Sequence, residues 1–378
     1  MTVVYLLAVS SQPRYWRRIN ALTSEGLEAR ILTFNRPYVP ASREHAARAE
    51  VVASITQGKY LRRLAAFARA FIPVYRRSRD ADFLYCFGSD LAALGIAVKL
   101  FRRRLRLVLE VGDVRPVMIN NDVKGTLLRA LERLVLRQVF LIVVTSPAYR
   151  DRYLVDRQGV TASKILAVEN KVDVRMRRLA EPVRGGEVTP GSVLSIGYYG
   201  IIRCQKSWSL LERIAKAFPD RVHVHVWGHL MLKHRHVDPQ GLPPTMSYHG
   251  EFRNPEHLPE MFRRFGLAWV AHAHGTTNTR WARANRFYEA CCFGTPMIGQ
   301  QGTLDGREID RLGVGLCIDV NYPEEALERI ASITDGEVSS WKARVLALDE
   351  AVYQYTGEHS ELARRMRQSR IGGRVISG

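Results

Sequence analysis

Arg283-Ala-Asn-Arg-Phe-Tyr-Glu-Ala-Cys-Cys-Phe-Gly-Thr-Pro-Met-Ile298 runs from a helical pattern, through a break, into an apolar strand. Gly294 suits the left-handed turn that ends helices, and Pro296 cannot continue one. The helix reads as Arg286–Phe293 and the strand as Pro296–Ile298. Outward from this stretch the succession repeats. Before it stand strand-like Ser192–Gly197, helix Trp208–Ala217, and strands Val222–Trp227, Met246–His249 and Leu267–His272. Beyond it a helix opens at Asn321 with Pro323 in its first turn, and Trp341 to about Arg370 is helical in pattern. The first half alternates likewise, with strands at Val3–Val9, Ala29–Phe34, Phe83–Phe87, Leu105–Val111, Leu141–Thr145 and Lys164–Asn170. Helical patterns fill the gaps at Tyr15–Glu25, Tyr60–Arg77, Ser89–Arg102 and Thr126–Gln138. Such alternation signals βαβ units and parallel sheets.

A chain of 378 residues exceeds one ordinary core and suits two domains. Glu181–Gly191 is rich in Pro and Gly, lacks apolar periodicity and reads as a linker. The expected domains are therefore 1–180 and 192–352, both α/β, followed by 353–378. Ligands of open parallel sheets bind beyond the carboxyl ends of the strands, so a cleft between two such domains is the expected active site.

Hydrophobic residues at 46% and charged residues at 25% fit a soluble globular protein. The net charge of +19 argues for polyanionic surroundings: nucleic acid, anionic lipid or phosphorylated ligands. Cys86, Cys204, Cys291, Cys292 and Cys317 form no C-x-x-C pair, which fits a reducing, cytoplasmic compartment. The N-terminal apolar run lacks a basic leader and reads as a buried strand rather than a signal peptide. No apolar stretch approaches the roughly 20 residues that span a bilayer, so a soluble or peripheral protein is expected.

Two constellations point to chemistry. Ser195-Ile-Gly-Tyr-Tyr-Gly-Ile-Ile-Arg-Cys-Gln-Lys206 places Gly197 and Gly200 at a strand-to-helix turn, with Arg203 and Lys206 as cations for a diphosphate. Glycines at such turns are also simply turns. In the opening stretch Arg286 and Glu289 share a helix face. Their surface pairing is the plain alternative, but Asn285 and Arg286 stand at the helix start, where a cation is disfavoured without a nearby anion.

The run Asn285-Arg-Phe-Tyr-Glu-Ala…Phe-Gly-Thr-Pro-Met resembles the donor-binding segment of family 4 glycosyltransferases of the GT-B fold. That segment commonly reads Asn-Lys-hydrophobic-Tyr-Glu and then Gly-x-Pro-Val. Val226-Trp-Gly228, Tyr248–Arg253, Leu109–Pro116, Val143–Tyr149 and Lys164–Asn170 resemble further family segments in consistent order. The resemblance implies two Rossmann-like domains facing a central cleft, with the helices after about 353 crossing back onto the first. It places Arg286 where a phosphate-binding lysine lies, Glu289 on the donor ribose, and Gly200, Arg203 and Lys206 at the diphosphate. Phe252 would pass the nucleobase, contacting it mainly through backbone. Trp281 and Ala282 stand where many relatives carry a second glutamate near the transferred sugar.

The expected activity is sugar transfer from a UDP- or GDP-sugar co-substrate to a lipid-linked or glycan acceptor in surface polysaccharide or glycolipid synthesis. Retention of configuration is implied by the resemblance alone. Cations and helix dipoles can stabilise the leaving diphosphate, so no metal and no further cofactor are expected. Asp113 either orients the acceptor hydroxyl or takes its proton, N-capping being its ordinary role. Glu110 is the competing carboxylate, from a strand, a satisfied structural group being its alternative. His274 is a candidate phosphate or sugar contact, an ordinary loop histidine being the alternative.

Tyr60–Arg77 carries Leu61, Leu64, Ala65, Ala68 and Phe71 on a helical stripe among Arg62, Arg63, Arg69, Arg76 and Arg77, and Arg102, Arg103, Arg104 and Arg106 cluster nearby. This reads as a basic element that meets an anionic membrane surface on the cytoplasmic face, or as a core-packed helix with a solvated side. The rival functions are a GT-B-fold nucleotide-sugar epimerase and a nucleic-acid-binding protein. No recognition signature supports the latter, so nucleic acid is not expected as a partner.

Overall fold

Val3–Leu7 is apolar throughout and wholly buried, as a strand covered on both faces must be. In the computed structural model it belongs to β1 (Thr2–Leu7), which pairs in parallel with β2 (Glu28–Asn35) and β4 (Phe83–Phe87). The structure describes residues 1–35, 47–55, 60–184, 193–232, 241–273, 275 and 277–372. With β3 (Glu50–Ser54), β5 (Arg106–Val111), β6 (Leu141–Val144) and β7 (Ile165–Ala167), a seven-stranded sheet forms in the order β3-β2-β1-β4-β5-β6-β7. The connection from β1 to β2 runs one way across this sheet, and those from β3, β4 and β5 run the other. Right-handed crossovers therefore put α1 (Pro13–Ser24) on one face. On the other face α2 (Tyr60–Arg77) and α4 (Val123–Gln138) each contact α3 (Ser89–Phe101).

The second sheet is also parallel, in the order β10-β9-β8-β11-β12-β13. Its strands are β8 (Leu194–Ile202), β9 (Val222–Leu230), β10 (Met246–Tyr248), β11 (Leu267–Trp269), β12 (Met297–Gln300) and β13 (Gly315–Ile318). Alternate residues face two apolar clusters. Tyr198, Val224 and Trp269 join Trp208 and Leu211 of α6 (Gln205–Ala217) on one side. Tyr199, Trp227 and Ala268 face the other, with Phe262 of α7 (Leu258–Arg264) and Phe287 and Phe293 of α9 (Asn285–Phe293). Between these last two helices lies the short α8 (Thr277–Trp281), and α10 (Leu304–Leu312), α11 (Pro323–Ala331), α12 (Asp335–Leu346) and α13 (Glu358–Gly372) follow.

Contacts divide the chain into Met1–Glu169 with Gly357–Gly378, and Asn170–Thr356. The first boundary precedes the one read from the sequence. Asp173 caps a further helix, α5 (Val174–Ala180), whose Met176 and Ala180 enter the second unit's core, and Val172 N–H donates to Tyr353 O at 2.8 Å. Of the expected linker, 185–191 lies outside the described residues. The crossing back begins at Gly357 rather than about 353: Ser360 Oγ donates to Glu25 and Arg18 donates to His359, both tying α13 to α1.

Two expectations for single elements change. β8 does not end at Gly197 but continues to Ile202, paired with β9 throughout. On α2 the buried face is Ala66, Ala70 and Val74, while Leu64, Ala65 and Ala68 of the expected stripe are exposed and Phe71 is half-buried. The Leu61 side chain lies outside the described residues.

Candidate functional site

The second unit's cavity forms where β8, β11 and β12 end and α9 begins. The helix breaks off at Gly294, whose left-handed φ of 72° caps it, and starts at Asn285 without any side-chain cap. Its first turn therefore presents the partial positive end of the helix to the cavity. The cavity measures about 360 Å³, and Gly200, Arg203, Phe252, Asn285, Arg286 and Glu289 all line it. Six of the residues singled out in the sequence thus meet in one place.

Arg286 is 8% exposed. Its Nη1 donates to Trp269 O at 2.9 Å, its Nη2 donates to His272 Nε2, and its guanidinium lies 4.9 Å from the Tyr198 ring centre. Burial, reinforced by the Arg286 and Arg203 charges, holds the His272 imidazole well below its ordinary pKa, so it stays neutral and can accept. Among the described residues no carboxylate pairs with Arg286, Glu289 included, which excludes the plain ion-pair reading. A buried cation without a counter-ion is costly, and this one lines a cavity at a positive helix end.

Glu289 is also buried, and Asn254 Nδ2 donates to its Oε1 at 2.9 Å. Phe252 stacks edge-on against Tyr199 at the same wall. Gly200 has a φ of 106°, which disfavours any side chain, and leaves its side of the cavity open. Across the ladder stands Gly228, where a Cβ would come within 1.8 Å of Gly200 O. Backbone crowding thus dictates one glycine of the pair and conformation the other.

Lys206 does not join the cavity: its Nζ donates to Asn321 Oδ1 at 2.6 Å. The reason lies at the α6 start, where Cys204 Sγ accepts from Ser207 N and Ala273 N, fixing the turn so that Arg203 alone faces the cavity. His274 lies outside the described residues. Sequence reasoning passed over Asn254, Thr303, Gln300 and Asp305, which also line the site. Asp305 accepts from Ala284 N at 3.0 Å, steadying the α9 start. Only its distant position, after β12, hid it.

In the first unit the two candidate carboxylates part company. Glu110 is buried with Arg18 Nε at 3.0 Å and Tyr85 OH at 2.6 Å, and Arg18 also donates to Val168 O. These bonds favour a structural role for Glu110 over the catalytic one. Asp113 lies beyond the end of β5, exposed, lining a cavity of about 190 Å³ with Ser89, Asp90, Arg115, Glu132 and Tyr153. Asp80-Ala-Asp82 has the Asp-x-Asp spacing of metal-binding motifs. Both carboxylates are engaged, Asp80 by Arg30 at 2.7 Å and Asp82 by Thr2 N at 3.0 Å.

Residues 12–171 match the family model of the glycosyl transferase 4-like domain. The chain is 26% identical over 333 residues to the succinoglycan biosynthesis protein ExoL of Rhizobium meliloti (strain 1021), covering 84% of this chain and 81% of that protein. Among solved structures it resembles HepE of Anabaena in complex with UDP, at a TM-score of 0.68 and 13% identity over 97% of this chain and 100% of that one. It also resembles the sucrose-phosphate synthase of Thermosynechococcus elongatus, at a TM-score of 0.69 and 14% identity over 98% and 100%. The chain has the GT-B fold, and its residues 12–171 resemble the glycosyl transferase 4-like domain.

Proposed function

We propose that the second unit binds a UDP- or GDP-sugar and that the sugar passes to a lipid-linked glycan acceptor at the cytoplasmic face of a membrane. The observation that carries this reading is Arg286: a buried guanidinium with no carboxylate partner among the described residues, at an uncapped helix start, lining a cavity of nucleotide size. A diphosphate supplies the missing negative charge. As the glycosidic bond to the donor breaks, charge grows on the diphosphate, and Arg286, Arg203 and the α9 N–H groups are already oriented to stabilise it. These fixed cations take the part a metal plays elsewhere, so transfer is metal-independent. Glu289, held by Asn254, accepts from the ribose hydroxyls. Phe252 lies against the base.

On the acceptor side Asp113 orients the hydroxyl or receives its proton. Retention of configuration follows the family resemblance. No cofactor beyond the donor is invoked. Similarity to a protein named for succinoglycan biosynthesis supports a role in polysaccharide assembly, and the UDP complex of HepE supports the donor class.

Thermal-shift measurements with UDP, GDP and ADP, each with and without EDTA, test the donor reading, because a ligand of the native state raises the melting temperature. One nucleotide should stabilise the protein equally with and without chelator. No shift with any nucleotide would overturn the donor site, and a shift abolished by EDTA would overturn metal independence.

A further inference from the structure

On α4 the usual arrangement of an amphipathic helix is inverted. Its inner face carries Gly125, Arg129, Glu132 and Leu136, while Val123, Leu127, Leu131 and Leu134 are exposed at 86%, 60%, 52% and 56%. Helical spacing puts those four, with Ala130, on one outward stripe. The helix is held in this rotation. Arg129 Nη1 donates to Met118 O at 3.1 Å, and Glu132 accepts from Ser89 Oγ at 2.8 Å and Gln158 Nε2 at 2.6 Å. Turning the leucines inward would break these bonds.

The neighbouring helices extend the apolar surface. Leu64 and Ile72 of α2 and Leu100 and Phe101 of α3 are exposed. Phe101 lies against Phe71 and Tyr75, and the Arg102 guanidinium covers the Tyr75 ring at 4.2 Å. The three helices contain two acidic residues: Asp90 in the first turn of α3, and Glu132 on the inner side of α4. Their cations are many: Arg69, Arg76, Lys99, Lys124 and Arg137, with Arg102–Arg104 after α3. On one flank of the leucine stripe Arg133, Arg137 and Lys164 line a cavity of about 220 Å³. No helix among the described residues is long and apolar enough to cross a membrane.

We propose that the outer face of α2, α3 and α4 docks on an anionic phospholipid bilayer, with the α4 leucines entering the acyl boundary and the flanking cations meeting lipid phosphates. The proposal deepens the peripheral location given above and rests on it, but not on the donor chemistry. An exposed apolar patch of this extent marks an interaction surface. Its predominantly cationic rim complements anionic headgroups and would repel the same face of a second copy.

Co-sedimentation with phosphatidylglycerol–phosphatidylcholine vesicles, and with phosphatidylcholine vesicles alone, tests it. The wild-type protein should prefer the anionic vesicles and be released by salt. The L127S/L131S/L134S variant should bind them about tenfold or more weakly, with its melting temperature and nucleotide-induced thermal shift unchanged, and R133E/R137E should lose the preference for anionic lipid. Undiminished vesicle binding by the leucine variant would overturn the proposal. So would a vesicle-free wild-type dimer, seen by light scattering, that the leucine variant converts to monomer. Either failure leaves nucleotide binding intact, and so differs from failure of the donor site.

Discussion

At the scale of single residues, two buried charges of opposite sign have opposite meanings. Glu110 has its cation: Arg18 stands 3.0 Å away and both are hidden from water. Removing one partner of such a pair costs about 3–5 kcal/mol, so Glu110→Gln should lower the unfolding free energy by that order. Asp113→Asn should leave chemical denaturation unchanged and reduce sugar transfer about 10²-fold or more. A stable but inactive Glu110→Gln would reverse these roles. The contrast was open in the sequence, where both are acids near one strand end, because Arg18 lies 92 residues from its partner. Arg286 and Glu289 were legible because a cation at a helix start is locally unfavourable, an anomaly visible without tertiary contacts. Lys206 was misread for the converse reason. Its partner, Asn321, lies 115 residues on.

At the scale of elements, the extension of β8 and β9 past the rest of their sheet carries Gly200 into the donor cavity. Gly228 permits it, so Gly228→Ala should cost about 1–3 kcal/mol and weaken nucleotide binding together with stability. Full nucleotide affinity in a destabilised Gly228→Ala protein would separate the ladder from the cavity. α13 is tied to α1 partly through His359, whose pKa burial and the Arg18 charge press down to about 3. Because the folded value lies below that of an unfolded histidine, the unfolded chain binds the proton first. Stability is therefore lost as pH falls from about 6.5 toward 3, by at most about 1.4 kcal/mol per pH unit for this group. His359→Gln should flatten that part of the denaturation profile, and an unchanged slope would contradict it. Strand-and-helix alternation was readable throughout because buried parallel strands are continuously apolar. The outward face of α4 was not: periodicity reveals a stripe but not which way it points, and the bonds that decide it come from Ser89, Met118 and Gln158.

At the scale of the whole molecule, the two units carry different chemistry. The first holds the family-matched domain, the acidic cavity of Asp113 and the apolar, cationic helix layer. The second holds the cavity of Arg286 and Glu289. The two-unit plan was legible from length and alternation. The position of the crossover was not, since the Pro- and Gly-rich stretch at 181–191 looks more like a joint than Glu169-Asn170 does. The central claim is that the second unit's cavity receives a nucleoside diphosphate through Arg286. Titration calorimetry of the wild type, Arg286→Ala and Glu289→Gln, each with the preferred nucleotide and with inorganic pyrophosphate, tests it most directly. Arg286→Ala should weaken both ligands about ten- to a hundredfold, the loss of charge-assisted hydrogen bonds. Glu289→Gln should weaken the nucleotide alone, because pyrophosphate has no ribose. Unchanged nucleotide affinity in Arg286→Ala would contradict the account.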